Sequence, residues 1–482
     1  MGTRALRVMG CVVAAWAAPV AAQNCAPFTD VPATSSFCTS IQWMYNRSIT
    51  LGCATGAYCP LQLVTREQMA AFMFRLGNVT FQQGGNAFGA AAVLGTTDAQ
   101  PLDLRVDGAR VMRYAPDAIS PNVIGGSPAN GVTAGVRGAT IAGGGVPTGD
   151  VDPDFNGEAP NRVTDAYGTI AGGYANRAGD NAGTVTDADA ATVGGGRANV
   201  ASGHLSTVSG GESNSASSEW SAVGGGGVNT ASGGQSVVAG GYYNTASGGN
   251  SVVAGGNFNT ASGAWGTIPG GDSNVAAGEY SFAAGQNAQS QNRGCFTWAD
   301  ASSSTPFVCA GDNAFIARAA GGFYLRTNAA ATIGVSLTGG SGTWASVSDR
   351  ALKEHVTMVD PRDVLERVAR MPIATWNYKT QDPTIRHMGP MAQDVHAAFG
   401  LGESDRHIST IDADGIALAA IQGLNAKLES QAREKDARIA ALEARAVDVD
   451  LLRLELAALR RALADGAEGR GTSIAGRGRS GP

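Results

Sequence analysis

Ser348 and Lys353 stand five positions apart in a segment that reads Ser-Asp-Arg-Ala-Leu-Lys. A serine hydroxyl is a weak nucleophile until a nearby base takes its proton, and a lysine can be that base where burial makes it neutral. The same segment also has a structural interpretation, because Ser-Asp before a helix is a common N-cap and a lysine in the first turn is then solvated. The two residue types alone favour the cap, so the choice depends on the elements around them.

The cysteines are a second set of residues with possible chemistry. One of the seven, Cys11, lies in an apolar N-terminal stretch, and the other six form an early group of four and a late pair: Cys25, Cys38, Cys53, Cys59, Cys295 and Cys309. An even number in each group predicts two early disulfides and one that closes a short late loop. Zinc is the alternative for the first four, but they lack a C-x-x-C spacing and a nearby histidine. We therefore expect disulfides and no metal here.

An acidic insertion is a third candidate site, in this case for a metal ion. Asp150, Asp152, Asp154 and Asn156 resemble the start of a calcium loop with oxygen ligands. The place where such a loop needs a bidentate glutamate is held by Val163. A solvated acidic loop is therefore favoured over a calcium site, and no metal or cofactor is predicted for the chain.

The composition limits the classes of protein that the chain can represent. Glycine supplies 68 of 482 residues, and charged residues supply 15% where about 25% is ordinary. The net charge of −6 and the lack of a basic excess argue against a nucleic-acid partner. Collagen is excluded, because the glycines occur as doublets without a three-residue period.

A repeat with a period of 15 residues fills the middle of the chain. A Gly doublet precedes each repeated asparagine, and an alanine follows it. Valine or isoleucine stands before each doublet. The asparagines are Asn199, Asn214, Asn229, Asn244, Asn259 and Asn274, and the β-branched residues are Val193, Val208, Val223, Val238, Val253 and Ile268. Fixed columns of this kind are not a property of a flexible Gly/Ser linker.

Such a short period predicts a solenoid with about one coil per repeat. We expect the β-branched and small residues in strands, and the Gly doublets and asparagines in turns with positive φ. One Val and one Ala per coil cannot fill a wide β-helix, so a narrow coil should bury its remaining apolar face against another copy. The pattern resembles the left-handed β-roll heads of trimeric bacterial surface adhesins, whose repeats are usually slightly shorter.

The N-terminus has the features of an export signal. Arg4 and Arg7 precede an apolar stretch over 8–20, and small residues at 20–22 provide a cleavage site. An uncut membrane anchor is the alternative. No other segment has the length and apolar character of a membrane span. The sequence therefore predicts a secreted protein at the cell surface or outside the cell.

A small cysteine-containing module follows the signal. Helical spacing joins Phe37, Ile41 and Tyr45, and a second helix is predicted with Thr65 as its N-cap. Met69, Phe72 and Met73 share one face of that second helix.

The Phe-x-Asp-Val-Pro opening at 28–32, the Ile-Thr-x-Gly turn at 49–52 and the segment 64–70 resemble a single S-layer homology motif. That family binds cell-wall polysaccharide, often through its Thr-Arg-Glu segment. The resemblance therefore implies wall binding by Thr65, Arg66 and Glu67, with a solvated first helical turn as the alternative. Members usually carry three copies, and this chain has one.

The C-terminal region resembles a second family. Ser-Asp-x-x-x-Lys at 348–353 is followed by Trp-x-Tyr at 376–378, by Gly-x-x-Ala-Gln-Asp-Val at 389–395, and by a heptad helix. In this order they resemble the S74-type intramolecular chaperone of phage tail spikes and fibres. That domain trimerises, guides the upstream β-fold into register and cuts itself off. The resemblance implies that Ser348 is the nucleophile and Lys353 the base, with Val347–Ser348 as our predicted scissile bond; His355 and His387 are assigned no role.

The closing helix has one continuous heptad register. Its apolar positions are Ile421, Leu424, Leu428, Leu442, Val449, Leu452, Leu456, Leu459 and Leu463. The centre of this seam is weakened by polar residues, namely Gln431, Lys435, Arg438 and Arg445. A coiled coil is predicted, and its seam argues for association.

The predicted fold class is mixed: a small α-helical N-terminal module, an all-β left-handed β-roll solenoid that is trimeric, and an α+β chaperone domain ending in a coiled coil. The predicted segments are a signal peptide (1–22), the S-layer-like module (25–78), a linker (79–126), the β-roll (127–290), a β neck (291–345), the chaperone and autoprocessing domain (346–415), the coiled coil (416–465) and a disordered tail (466–482).

Together these segments predict an exported homotrimeric surface fibre, adhesin-like, whose only enzymatic act is autoproteolysis at Ser348. The expected partners are two further copies of the chain, cell-wall polysaccharide and an unidentified surface ligand of the β-roll. The alternative is a structural or adhesive protein whose chaperone stays uncut as a permanent trimer clamp. A carbohydrate-cleaving array is disfavoured, because the regular repeat positions offer almost no paired carboxylates.

Overall fold

A computed structural model of the chain describes residues 24–78, 93–147 and 159–471. The predicted signal peptide, the acidic loop Asp150–Asn156 and most of the predicted tail lie outside these residues. The chain divides into two compact units, 1–250 and 251–482, and each is described by itself.

The N-terminal module is built on two helices, α1 (Cys38–Asn46) and α2 (Arg66–Asn78). Disulfides join Cys25 to Cys38 and Cys53 to Cys59. The grouping of the cysteines predicted two disulfides here, and the structure supplies their pairing. The small core consists of Cys25, Phe28, Val31 and Ile41. Of the first predicted helical face only Ile41 is buried, whereas Phe37 and Tyr45 are exposed.

The second predicted helical face also differs from a core face, since Met69 and Met73 are exposed. Phe72, the third residue of that face, is half-buried, so the face is partly covered within the single chain.

The β-structure of the first unit begins as an antiparallel meander and continues as two parallel ladders of two-residue strands. The strands are β1 (Leu102–Val106), β2 (Ala109–Ala115), β3 (Asn122–Gly125), β4 (Gly131–Val132), β5 (Thr140–Ile141), β6 (Arg162–Val163), β7 (Thr169–Ile170), β8 (Arg177–Ala178), β9 (Thr192–Val193), β10 (Val200–Ala201), β11 (Thr207–Val208), β12 (Ser215–Ala216), β13 (Ala222–Val223), β14 (Thr230–Ala231), β15 (Val237–Val238) and β16 (Thr245–Ala246). The segment predicted as a linker, 79–126, thus contains β1–β3, and β3 pairs with β5 of the solenoid.

The second unit continues the same coil pattern and adds a separate antiparallel sheet, β27–β29. Its strands are β17 (Val252–Val253), β18 (Thr260–Ala261), β19 (Thr267–Ile268), β20 (Gly271–Asp272), β21 (Val275–Ala276), β22 (Phe282–Gln286), β23 (Ala288–Ser290), β24 (Phe296–Ala299), β25 (Phe307–Cys309), β26 (Phe315–Arg318), β27 (Gly322–Arg326), β28 (Gly334–Thr338) and β29 (Ala345–Ser346). A disulfide joins Cys295 to Cys309, as predicted.

Each coil buries the residue types that recur in the sequence. In every two-residue strand from β9 to β19 the second side chain is fully buried and the first is half-buried, because successive side chains point to opposite faces. The Val/Ile column and the Ala column therefore fill the interior, as in Val223 and Ala231. The mixed β-solenoid fold predicted from the repeat is confirmed.

The repeated asparagines do not occupy the conformation predicted for them. The residue before each asparagine has positive φ, for example Ser213 at 55° and Val228 at 56°, whereas the asparagine is buried. Asn229 donates from Nδ2 to the carbonyl oxygens of Gly225 (2.9 Å) and Gly241 (2.8 Å). Its Oδ1 accepts from the backbone N–H of Asn244, one coil further on, at 3.0 Å. The column is thus an internal hydrogen-bond ladder, which needs an amide at every coil.

The Gly doublets do occupy turns with positive φ. The second glycine of each doublet has this conformation, for example Gly211 at φ +90°. A Cβ there would lie 2.2 Å from the carbonyl oxygen of Gly226 in the next coil. The stacking of adjacent coils therefore excludes a side chain at this position.

The C-terminal region contains a 3₁₀ turn (Arg350–Leu352) and a small α+β unit with a long final helix. The elements are α3 (Pro361–Arg370), β30 (Ala374–Trp376), β31 (His387–Gly389), α4 (Ala392–Phe399) and α5 (Thr410–Gly471). Helix α3 packs on α5, where Val364 and Ala420 are buried, and a Cβ at Gly423 would lie 2.1 Å from the Pro361 carbonyl oxygen. The segment predicted as a coiled coil, 416–465, lies within α5. Among the described helices, none combines the length and the apolar character that crossing a bilayer requires.

Candidate functional site

The structure brings Ser348 and Lys353 into direct contact. Strand β29 ends at Ser346, and the Val347 N–H donates to the Gly334 carbonyl oxygen at 3.0 Å, which holds the residue before Ser348 on the sheet. The 3₁₀ turn then folds the chain back, and Lys353 Nζ donates to Ser348 Oγ at 2.5 Å.

Asp349, rather than Ser348, caps this turn. Its side chain accepts from the backbone N–H of Ala351 at 2.9 Å. The interpretation of Ser348 as the N-cap is therefore wrong, and its hydroxyl contacts the lysine instead. Sequence reasoning missed this role, although the acidic residue stands directly beside Ser348.

Solvent exposure is the other property of the site. Ser348 and Lys353 are both exposed, and so is every residue from 351 to 360. This stretch includes apolar side chains, among them Val356 and Met358, and the latter is 90% exposed. A lysine that acts as a base must lose its water shell. The single chain thus provides a serine–lysine contact without the burial that a lysine base requires.

The downstream motifs form a packing cluster of their own. The ring of His387 lies 4.8 Å from Trp376 and 5.9 Å from Tyr378, and its Nε2 is 2.9 Å from Gln381 Oε1. His355 is exposed, and its Nε2 lies 3.9 Å from Glu354 Oε1. Among the described residues, neither histidine is joined to Ser348 or Lys353 by a hydrogen bond or an ion pair.

The candidate wall-binding residues lie at the start of α2. Thr65 Oγ1 accepts from the Gln68 N–H at 3.1 Å, and Gln68 Oε1 accepts from the Thr65 N–H at 3.0 Å. This reciprocal pair is a capping box, so Thr65 is the N-cap as predicted. Arg66 and Glu67 are exposed. A role in wall binding stays a prediction.

Comparison with known families finds a match for the C-terminal region that contains Ser348 and Lys353. Residues 348–400 match the family model described as chaperone of endosialidase, of the S74 peptidase type. The match begins at Ser348 and includes Lys353, the aromatic cluster and α4. The chain thus combines a β-solenoid with a C-terminal region that is similar to the S74-type chaperone family. No curated protein matches the chain.

Proposed function

We propose that this protein is an exported homotrimeric surface fibre whose C-terminal domain directs trimer assembly and then removes itself by cleavage at Ser348. The observation that carries the proposal is the 2.5 Å contact between Lys353 Nζ and Ser348 Oγ, at the residue where the family match begins. A serine and a lysine in direct contact are the parts of a nucleophile–base dyad.

The reaction proceeds in two steps within one chain. Neutral Lys353 takes the proton of Ser348 Oγ, which attacks the carbonyl carbon of Val347. The C–N bond breaks, the leaving nitrogen takes up a proton as the free amine of Ser348, and an ester joins Val347 to Ser348 Oγ. Water then hydrolyses the ester, leaving a carboxylate on Val347 and restoring the hydroxyl.

Assembly supplies the burial that the single chain lacks. The heptad positions of α5 are exposed along the helix, up to 70% at Leu463, and so are the apolar residues that follow Lys353. Apolar surface of this extent is stabilised by association, and a heptad seam specifies a coiled coil. Trimerisation through α5 would cover the 351–360 stretch and dehydrate Lys353, so cleavage would follow assembly.

The solenoid offers an apolar face to the same assembly. Phe282, Phe296 and Phe315 stack outside β22, β24 and β26, with ring centroids 4.5 Å and 4.7 Å apart, and Phe315 is exposed. A face of this kind would gain stability by packing against the same face of neighbouring chains. The chaperone would set the three chains in register, since non-local β pairing is slow and prone to slippage.

Attachment to the cell wall completes the proposal. Trimerisation would bring together three S-layer-like modules, each presenting Arg66 and Glu67, and so restore the usual number of copies and allow avid binding. A wall-pelleting assay with the trimer tests this step. Loss of pelleting in an Arg66→Ala/Glu67→Ala variant is expected, while unchanged pelleting would exclude the module.

The exposure of Ser348 and Lys353 favours a second candidate, a chaperone that stays uncut as a permanent trimer clamp. Denaturing mass spectrometry of the purified protein distinguishes the two. We expect two fragments that meet between Val347 and Ser348, and a single intact chain in both Ser348→Ala and Lys353→Met. Ser346→Ala, an exposed serine on the adjacent strand, is the control and should cleave normally.

An intact wild-type chain that sediments as a trimer would establish the clamp. An intact monomer would contradict both candidates.

A further inference from the structure

A second insertion in the solenoid gathers three carboxylates. Successive ladder asparagines are 15 residues apart, but Asn176 and Asn199 are 23 apart because extra residues follow β8. Asp180 and Asp187 lie in this insertion, and Asp165 follows β6 in the preceding coil. One carboxylate oxygen from each of the three residues lies within 4.8 Å of the others.

Asp165 is the unusual member of the cluster. It is only 1% exposed. Its Oδ2 accepts from Thr164 Oγ1 and from the Asp180 N–H, each at 3.0 Å. Its Oδ1 is buried and has no hydrogen-bond partner. A buried carboxylate oxygen without a hydrogen-bond partner is strongly unfavourable in a native protein. We take its presence as a sign that a ligand belongs at this position.

The charges around Asp165 favour the same explanation. Asp165 is buried and its carboxylate lies close to those of Asp180 and Asp187, so their like charges repel one another at short range. These repulsions oppose the close approach of the three residues. A cation among them would reverse the sign of each interaction.

We infer that Asp165, Asp180 and Asp187 form a calcium site that fastens the 179–190 insertion to the solenoid. The donors are carboxylates alone, which suit a hard cation, whereas transition metals prefer His or Cys. An irregular loop can supply the flexible, oxygen-rich coordination of Ca²⁺ more readily than the near-ideal octahedron that Mg²⁺ demands. Asp187 is exposed, so water can occupy the remaining positions. The site differs from the Asp150–Asn156 loop considered in the sequence, for which no metal was expected.

Equilibrium dialysis with ⁴⁵Ca²⁺ tests the site in the full-length protein after removal of metals with EDTA. Asp187→Asn should lower the number of bound ions by one per chain, or weaken one class of site by about tenfold or more, because the charge of the ligands tunes affinity. Asp189→Asn is the matched control, since Asp189 lies in the same insertion but contacts His204. Identical isotherms for wild type and Asp187→Asn, or no bound calcium in the wild type, would overturn the assignment.

Thermal unfolding provides a second readout. In EDTA, Asp165→Asn should unfold at or above the wild-type temperature, because it removes a buried, repelled charge. Added calcium should raise the unfolding temperature of the wild type and leave the variant unchanged. An equal increase in both proteins would contradict the proposal. If Asp165→Asn does not fold, the exposed Asp187→Asn variant decides the question.

Discussion

The solenoid and the C-terminal region differ in the burial of their apolar side chains. In the coils, Val223 and Ala231 are fully buried within their own chain, and the asparagine ladder satisfies the adjacent carbonyl groups. In α5, Leu456 and the other heptad residues are exposed. The difference indicates that one chain can stabilise the coils, whereas the apolar seam of α5 stays exposed in one chain and is the surface on which the proposed assembly depends.

The same contrast applies to the polar groups. The buried amides of the ladder are held in place by the coils above and below them. Ser348 and Lys353 meet on an exposed turn whose surroundings are incomplete in the single chain. Under the proposed function, a site built in this way would become active only after assembly, which would protect the chaperone from premature removal.

The largest expected effect comes from breaking the ladder. Asn229→Ala removes the hydrogen bonds to the Gly225 and Gly241 carbonyl oxygens and to the buried N–H of Asn244, although the Gly241 oxygen keeps a bond from the Gly227 N–H. We therefore expect a loss of about 2 to 6 kcal/mol in the free energy of unfolding. Chemical denaturation followed by circular dichroism measures it. Thr230→Ala, the next residue, faces outward and should change stability by less than about 1 kcal/mol. Equal effects would show that the ladder contributes nothing specific.

A side chain between coils should have the next largest effect. Gly211→Ala combines a positive φ with a close approach to the Gly226 carbonyl oxygen, and we expect a loss of about 2 to 4 kcal/mol. The neighbouring Gly210 has open space around a Cβ, so Gly210→Ala is the control and should be nearly neutral. The difference between their denaturation midpoints gives the contribution of coil stacking.

A substitution in the C-terminal seam should separate association from folding. Leu456→Asn should change the stability of the isolated chain by less than about 0.5 kcal/mol, because the side chain is exposed there. It should nevertheless shift sedimentation from trimer towards monomer, since a polar residue enters the seam. Glu455→Gln, beside it and outside the seam, is the control. A trimer that survives Leu456→Asn would place the association elsewhere.

The smallest expected effect concerns a surface charge at the edge of a coil. Hydrogen bonds from Ser302 and the Ala320 N–H, together with Arg318, lower the pKa of Asp300 from 3.8 to about 2. A lowered pKa stabilises the fold above the ordinary pKa, and this contribution is lost as the pH falls from about 3.8 through about 2. Asp300→Asn should therefore weaken stability slightly at neutral pH and reduce its dependence on pH in this acid range, as thermal unfolding at several pH values will measure. An unchanged acid dependence would contradict the role of Asp300.

Most of the solenoid could be predicted because every coil repeats the same constraints. The Val, Ala and Gly columns follow from side-chain alternation and from the space between coils, which depend on local spacing. The asparagines were wrongly predicted to adopt positive φ in turns. A turn residue and a buried ladder residue recur with the same 15-residue period, so the period alone does not distinguish them. The strands β1–β3 lie outside the repeat and were assigned to a linker for that reason.

The sequence by itself determined the period of the array, the buried columns, the grouping of the cysteines and the order of the chaperone motifs, because each depends on residue type and spacing. Only the tertiary structure decided that Asp349 caps the turn and leaves Ser348 to Lys353, and that Asp165 meets Asp180 and Asp187. These contacts depend on how a turn closes and on how an insertion folds back onto an earlier coil, and neither is encoded in a regular pattern.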